Sequence, residues 1–202
     1  KEKHGGEVVA CTLGNESARQ VLKDAMAKGA DRGIFLSDSQ FDSLDILSTA
    51  KVFASALKDK NFDLILSGLQ SDDQGNSQLG ILIAELLGMS HASLVMGTEV
   101  LDDNTIKVKR ELEGGWFQWT TLSLPSSISI QSGLNTPRYA TLKGIMMVKN
   151  KIVDELNGES VPGLDLSAKV TLKNMYIPEK SKETVFIDGA PDEIVGQLID
   201  VF

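Results

Sequence analysis

The stretch with the most chemical content is Ser67-Gly68-Leu69-Gln70-Ser71-Asp72-Asp73-Gln74-Gly75-Asn76-Ser77-Gln78-Leu79-Gly80, a run of small and polar residues between an apolar segment and a helical pattern. A loop of this composition at a helix N-terminus leaves backbone N–H groups unpaired, and the helix dipole favours an anion there, so the chemistry suits a phosphate. The same spacing also fits an ordinary connection whose helix is capped by Asn76 or Ser77. The loop is neither a Walker loop nor a GxGxxG turn. Earlier in the chain, after the first expected strand, the turn Thr12-Leu13-Gly14-Asn15 is expected at the same sheet edge. Ligands of open α/β sheets bind beyond the carboxyl ends of the strands, so the two loops could share one nucleotide or could both be plain turns.

Groups with catalytic potential are sparse. His4 falls in a terminal segment and His91 beside Ser90 at the start of a strand, and no Ser, Cys or carboxylate is spaced to form a dyad with either. Cys11 sits in an apolar strand, where a thiol packs as a small hydrophobe. Asp72 and Asp73 next to Gly75 are turn formers before they are metal ligands. The other unusual stretch runs from Pro137 to Lys151, a loop-like segment carrying Leu142, Ile145, Met146 and Met147 among basic residues. Such residues either fold back on the core or form a docking patch, for which flexible Met and Leu side chains suit varied partners. Periodicity does not choose between the two.

The elements that must position these residues follow from the pattern. Strands are expected at Glu7 to Thr12, Gly33 to Leu36 and Asp63 to Ser67, alternating with helices that run to Lys28, from Ser43 to Lys60, and from Asn76 to Leu87 with Gly88 as stop. That alternation predicts an α/β fold with an open, mostly parallel sheet and flanking helices. Period-two segments follow at 92–101, 105–112, 116–124 and 126–131, read as an antiparallel extension of the sheet. From Asn135 the chain reads as loop. Asn157 to Gly163 reads as a linker between a nucleotide-binding domain over residues 1–157 and a C-terminal arm over 158–202, which ends in a helix near Asp192 to Val201. The arm is too small to build its own core and is expected to pack on the main domain or on a partner.

Composition narrows the class. The 202 residues are 42% hydrophobic, enough for one real core, and the formal charge of -8 argues against a nucleic-acid or anionic-membrane surface. One cysteine makes no internal disulfide and suits a reducing compartment. No apolar run is long enough to span a bilayer, and the first residues do not form a signal peptide.

Asn135-Thr136-Pro137-Arg138-Tyr139-Ala140-Thr141-Leu142-Lys143-Gly144-Ile145-Met146 resembles the signature of electron-transfer flavoprotein beta subunits. Lys28-Gly29-Ala30-Asp31-Arg32-Gly33, the Gly68 to Gly80 loop, and Arg110-Glu111-Leu112-Glu113-Gly114-Gly115 support the likeness in order along the chain. The resemblance implies an alpha/beta heterodimer that carries electrons from flavin-containing dehydrogenases to a downstream acceptor, without catalytic residues of its own. It implies FAD held mainly on the alpha subunit, a structural AMP in this subunit or a second FAD in its place, and a site in the bacterial cytoplasm in preference to the mitochondrial matrix. An N-terminal strand and helix of the family is expected to be missing here. Leu13 and Gly14 match the first AMP loop, and Gln70, Asp73, Asn76, Ser77, Gln78, Leu79 and Gly80 the second, where Gln74 to Ser77 depart from the common bacterial Gly-Asp-Thr-Ala. The family's dehydrogenase-recognition loop matches Arg138 to Lys149, with Leu142 at the anchor position and Arg138, Tyr139, Ile145, Met146 and Lys149 around it; Lys143, Lys149 and Lys151 are expected to steer the partner. The rival class, a nucleotide hydrolase or sensor of the same α/β type, would want a phosphate-binding Lys or Arg, and Gly68 to Gly80 contains neither.

Overall fold

The chain follows the α/β alternation, with each apolar run pairing as a strand and each amphipathic run covering it. The computed structural model describes residues 1–179 and 184–201. Strand β1 (Val9–Leu13) leads through a 3-10 turn into α1 (Arg19–Ala27), and β2 (Arg32–Leu36) leads into α2 (Ile46–Leu57). β3 (Leu64–Gly68) then precedes α3 (Leu79–Leu87). Next come β4 (Ser90–Asp102), β5 (Thr105–Glu111), β6 (Phe117–Ser123) and β7 (Ser126–Ile130), followed by α4 (Leu142–Met147), β8 (Val153–Leu156) and α5 (Pro191–Ile199).

The expected α/β class holds, but the strands fall into two sheets: a parallel three-stranded sheet in the order β1-β2-β8 and a five-stranded sheet in the order β3-β7-β4-β5-β6. β2 shows why its sequence is a continuous apolar run. Ile34 and Leu36 face one buried cluster with Val52 and Leu57 of α2, while Phe35 faces another with Leu22 and Met26 of α1. A strand covered on both faces has no polar side to alternate with. A third cluster, Ala92, Val95, Ile106, Val108, Leu122 and Ile128, lines one face of the five-stranded sheet.

Three expectations are corrected. β4, β5 and β6 are antiparallel neighbours, but β7 is inserted between β3 and β4 and runs parallel to both. Period two reports which side chains share a face and says nothing of strand direction, so the last segment was indistinguishable from a meander strand. The segment after Asn135 is not all loop. It contains the short helix α4, whose Thr141 Oγ1 accepts from Gly144 N at 3.0 Å, and the edge strand β8, which pairs with β2. Both are too short for a periodic signal, and β8 carries Asp154 and Glu155 in its four residues. Asn157 to Gly163 is not a free linker. Asn157 caps the turn that follows it, Gly158 N donates to Asp38 Oδ2 at 3.0 Å, and Val161 is buried in the α2 cluster.

The chain divides into two compact units, Lys1–Thr171 and Leu172–Phe202. The first retains Leu164 and Leu166 on the α2 cluster, and Lys169 N and Val170 N donate to Asp45 Oδ2 at 2.5 and 3.2 Å. In the second unit, α5 starts with Pro191 at its first turn and Glu193 Oε2 accepting from Ala190 N at 3.1 Å. Leu172, Met175, Tyr176, Ile177, Val185, Phe186, Val195 and Ile199 of this unit are exposed, while Ile187 and Ile194 are half-buried. Among the described residues no helix is long and apolar enough to cross a membrane.

Candidate functional site

The loop from Gln70 to Gly80 is built by its own side chains. Gly75 N donates to Ser71 O at 3.0 Å, and Asp73 Oδ1 accepts from Gln74 N at 2.7 Å. Hydrogen bonds from the Ser71 hydroxyl and the Gln74 amide hold the Asp73 carboxyl below the usual carboxylate range. Gln70 Oε1 accepts from Ser77 Oγ at 2.7 Å, which ties the start of the loop to its end. Asn76 Nδ2 donates to Gln74 Oε1 at 3.1 Å. Gly75 and Ser77 both lie in the left-handed region, with φ of 61° and 55°. Glycine adopts this freely, whereas serine does so at a cost that the surrounding loop must offset.

At the end of this loop α3 begins without a side-chain cap. Its N-cap is Gln78, whose side chain makes no capping hydrogen bond, and neither Asn76 nor Ser77 takes that place. The alternative of a routinely capped connection is therefore not what the loop forms. Among the described residues the first-turn N–H groups of α3 have no side-chain acceptor, in a setting of exposed Gln70, Asp73, Asn76 and Gln78 and half-buried Ser77 and Leu79. Gly80, fully buried, is the contact between helix and sheet. A Cβ there would collide with Ser67 Oγ of β3 and stand 3.6 Å from Ser129 Cβ of β7, and Ser127 Oγ donates to Gly80 O at 3.0 Å. Ser67, Ser127 and Ser129 were not singled out from sequence. Their signal is the run Ser126-Ser127-Ile128-Ser129 inside a strand, where small side chains admit a close helix.

Leu13 closes β1 and Gly14 follows it, with Gly14 N donating to Leu36 O at 3.0 Å and a Cβ on Gly14 falling 2.9 Å from Ala18 Cβ. Asn15 caps the next turn by accepting from Ser17 N at 3.1 Å. The expectation that the two loops share one sheet edge is corrected: they leave β1 of the three-stranded sheet and β3 of the five-stranded sheet, because the strands that the sequence reads as one sheet pair as two. Leu13 of β1 and Ile65 of β3 nevertheless pack on the same buried cluster around α2.

The second candidate region is α4. Tyr139 is 92% exposed and Leu142 76%, and Ile145, Met146, Lys143 and Lys149 are exposed beside them. Of the two readings of this stretch, the exposed one describes these side chains, while Val148 is the residue that turns in, against Leu22, Met26, Ala30 and Phe35. Arg138 Nη1 pairs with Glu2 Oε1 at 2.9 Å. Lys151 does not stand with the exposed lysines. Its ammonium is half-buried and donates to Met26 O at 2.9 Å and Ala30 O at 2.5 Å. His4 and His91 are exposed. Burial pushes the Cys11 thiol up to about 12, which removes it as a nucleophile at neutral pH. Sequence reasoning also passed over an outward face of β6, where Lys109 Nζ lies 3.7 Å from the Phe117 ring centre and Lys107 Nζ 5.0 Å from that of Trp119.

The sequence profile of the electron transfer flavoprotein domain matches residues 1–160. The chain belongs to the electron transfer flavoprotein family. It is 32% identical to the electron transfer flavoprotein subunit beta of Methylophilus methylotrophus, over 96% of this chain and 76% of that one. It is also 32% identical to the beta subunit of Bacillus subtilis, over all of this chain and 79% of that protein. The mouse beta subunit matches at 31% over 96% of this chain and 76% of its own length. Electron transfer flavoproteins are electron-transport proteins that use a flavin, and a beta subunit implies an alpha partner.

Proposed function

We propose that this chain is the nucleotide-holding and dehydrogenase-docking subunit of a heterodimeric electron-transfer flavoprotein. It pairs with an alpha subunit that carries most of the contacts to FAD, and it supplies no catalytic residue of its own. The flavin supplies the redox chemistry when bound; this chain's residues hold, orient and expose.

The observation that carries the reading is the first turn of α3, left without a side-chain cap behind a loop of amide and hydroxyl groups, in a chain of this family. Backbone N–H groups there suit a phosphate, and the hydroxyl of Ser77 and the amides of Gln70, Asn76 and Gln78 suit the polar remainder of an adenine nucleotide, AMP or a second FAD. Leu13 and Gly14 form the other side of the site. The donor set fits because it requires no cation from the loop. The absence of Lys and Arg between Gly68 and Gly80 suits a nucleotide retained as structure better than a triphosphate held for turnover. The exposed apolar face of α4, with Leu142 as anchor and Arg138, Tyr139, Ile145, Met146 and Lys149 around it, docks flavin-containing dehydrogenases. The unit Leu172–Phe202, with its exposed apolar residues, packs on the alpha subunit.

Heat denaturation of the gently purified complex, followed by chromatography of the released small molecules, tests the nucleotide assignment. One adenine nucleotide per chain beyond the FAD of the alpha subunit is expected. Release of FAD alone, at one per heterodimer, overturns the assignment.

A further inference from the structure

The exposed face of α4 needs a reason to hold its shape, because six helical residues do not form a stable helix by themselves. The reason lies behind it. Lys151, just past the turn that follows α4, reaches the C-terminal end of α1 and donates to Met26 O, in the last turn of that helix, and to Ala30 O, in the turn that follows it. A cation at a helix C-terminus also meets the negative end of the helix dipole. Gly144 completes the contact from within α4, since a Cβ there would run into Ala27 O. Val148 fills the space between them against Leu22 and Met26.

We infer that Lys151 is a positioning residue: its ammonium clamps α4 to the end of α1, with Gly144 allowing the close approach, and so fixes the face on which Leu142, Ile145 and Met146 stand. This role differs from that of Lys143 and Lys149, whose exposed charges are free to act on a partner's approach. The inference rests on the docking reading of α4 for its consequence in electron transfer, but the clamp itself is a property of this chain.

The test compares Lys151→Met, which keeps the stem and removes the donors, with Lys151→Arg, which keeps a donor, in the flavoprotein assembled with its partner subunit. Amide exchange reads the clamp directly. The Ile145 N–H, which donates to Thr141 O at 3.0 Å, is expected to exchange roughly tenfold faster in Lys151→Met and near the wild-type rate in Lys151→Arg, with the melting temperature little changed. Enzyme-driven flavin reduction reads the consequence. Lys151→Met is expected to raise the half-saturating dehydrogenase concentration several-fold at unchanged salt dependence, and to add nothing further in a chain that already carries Leu142→Ala. Unchanged exchange at Ile145 overturns the clamp. A loss whose size depends on ionic strength and adds to that of Leu142→Ala also overturns it, because that is the behaviour of a steering charge. If Ile145 exchange accelerates while Leu142→Ala leaves reduction untouched, the clamp stands and the docking reading of α4 fails.

Discussion

At the scale of single residues, Gly80 and Leu142 bear the strongest consequences. Gly80 is buried against Ser67 Oγ, so Gly80→Val must push the first turn of α3 off β3. Overpacking of this kind costs about 1–3 kcal/mol, and the expected result is a lower melting temperature together with loss of bound nucleotide on gel filtration. The smaller change Gly80→Ala should be partly rescued by Ser67→Ala, which removes the colliding hydroxyl; a double variant no better than the single one would show that the contact does not set the position of α3. Cys11 gives a second residue-scale expectation. With its thiol held up to about 12 by burial, alkylation at pH 8 should be roughly a hundredfold slower in the native protein than in denaturant. The residue scale is also where the sequence was most legible. Composition marked Gln70 to Gly80 as a polar loop ahead of a helix, and the structure has that loop before α3; for Leu142 the sequence left folding back and exposure open, and the structure shows it 76% exposed. What was hidden is which way Lys151 points, because a lysine's spacing does not record whether carbonyls lie within reach.

At the scale of elements, alternation of apolar strands and amphipathic helices was readable through Gly88, since each has its own period. β8 and α4 were not, because four and six residues carry too few repeats and β8 is charged. The position of β7 was hidden for a different reason: strand order is decided by long-range pairing that side-chain alternation does not encode. The last part of the first unit depends on a charged pin. Asp45 caps α2 through Ser48 N at 2.8 Å and also accepts from Lys169 N and Val170 N. The Ser48 amide, followed by that of Lys169, lowers its carboxyl to about 2. A depressed carboxylate stabilises the fold above its unfolded value, near 3.9, and that contribution is lost as pH falls through the folded value. Amide exchange at Lys169 and Val170, corrected for its intrinsic pH dependence, should therefore be flat above about pH 4 and accelerate between about pH 4 and 2. An Asp45→Ala chain should exchange fast at those positions at every pH. Equal protection at pH 5 in both chains would contradict the pin.

At the scale of the whole molecule, buried residues build the α/β scaffold, while apolar residues of α4 and of the second unit stand exposed. The boundary for a truncation lies after Thr171, because Leu164, Leu166, Lys169 and Val170 belong to the first unit. A chain ending at Thr171 should keep its α/β circular dichroism and recover less alpha subunit on co-purification; undiminished recovery would remove the arm from the interface. The measurement that bears most directly on the central claim is the reduction of the complex by a flavin-containing dehydrogenase, followed at the flavin absorbance in wild type and Leu142→Ala. Truncating a docking anchor costs about 2 kcal/mol or more, roughly thirtyfold in affinity. Leu142→Ala is expected to need correspondingly more dehydrogenase to reach the same rate, while dithionite reduces its flavin as fast as in wild type. Equal enzyme-driven rates for both proteins across dehydrogenase concentrations would contradict it.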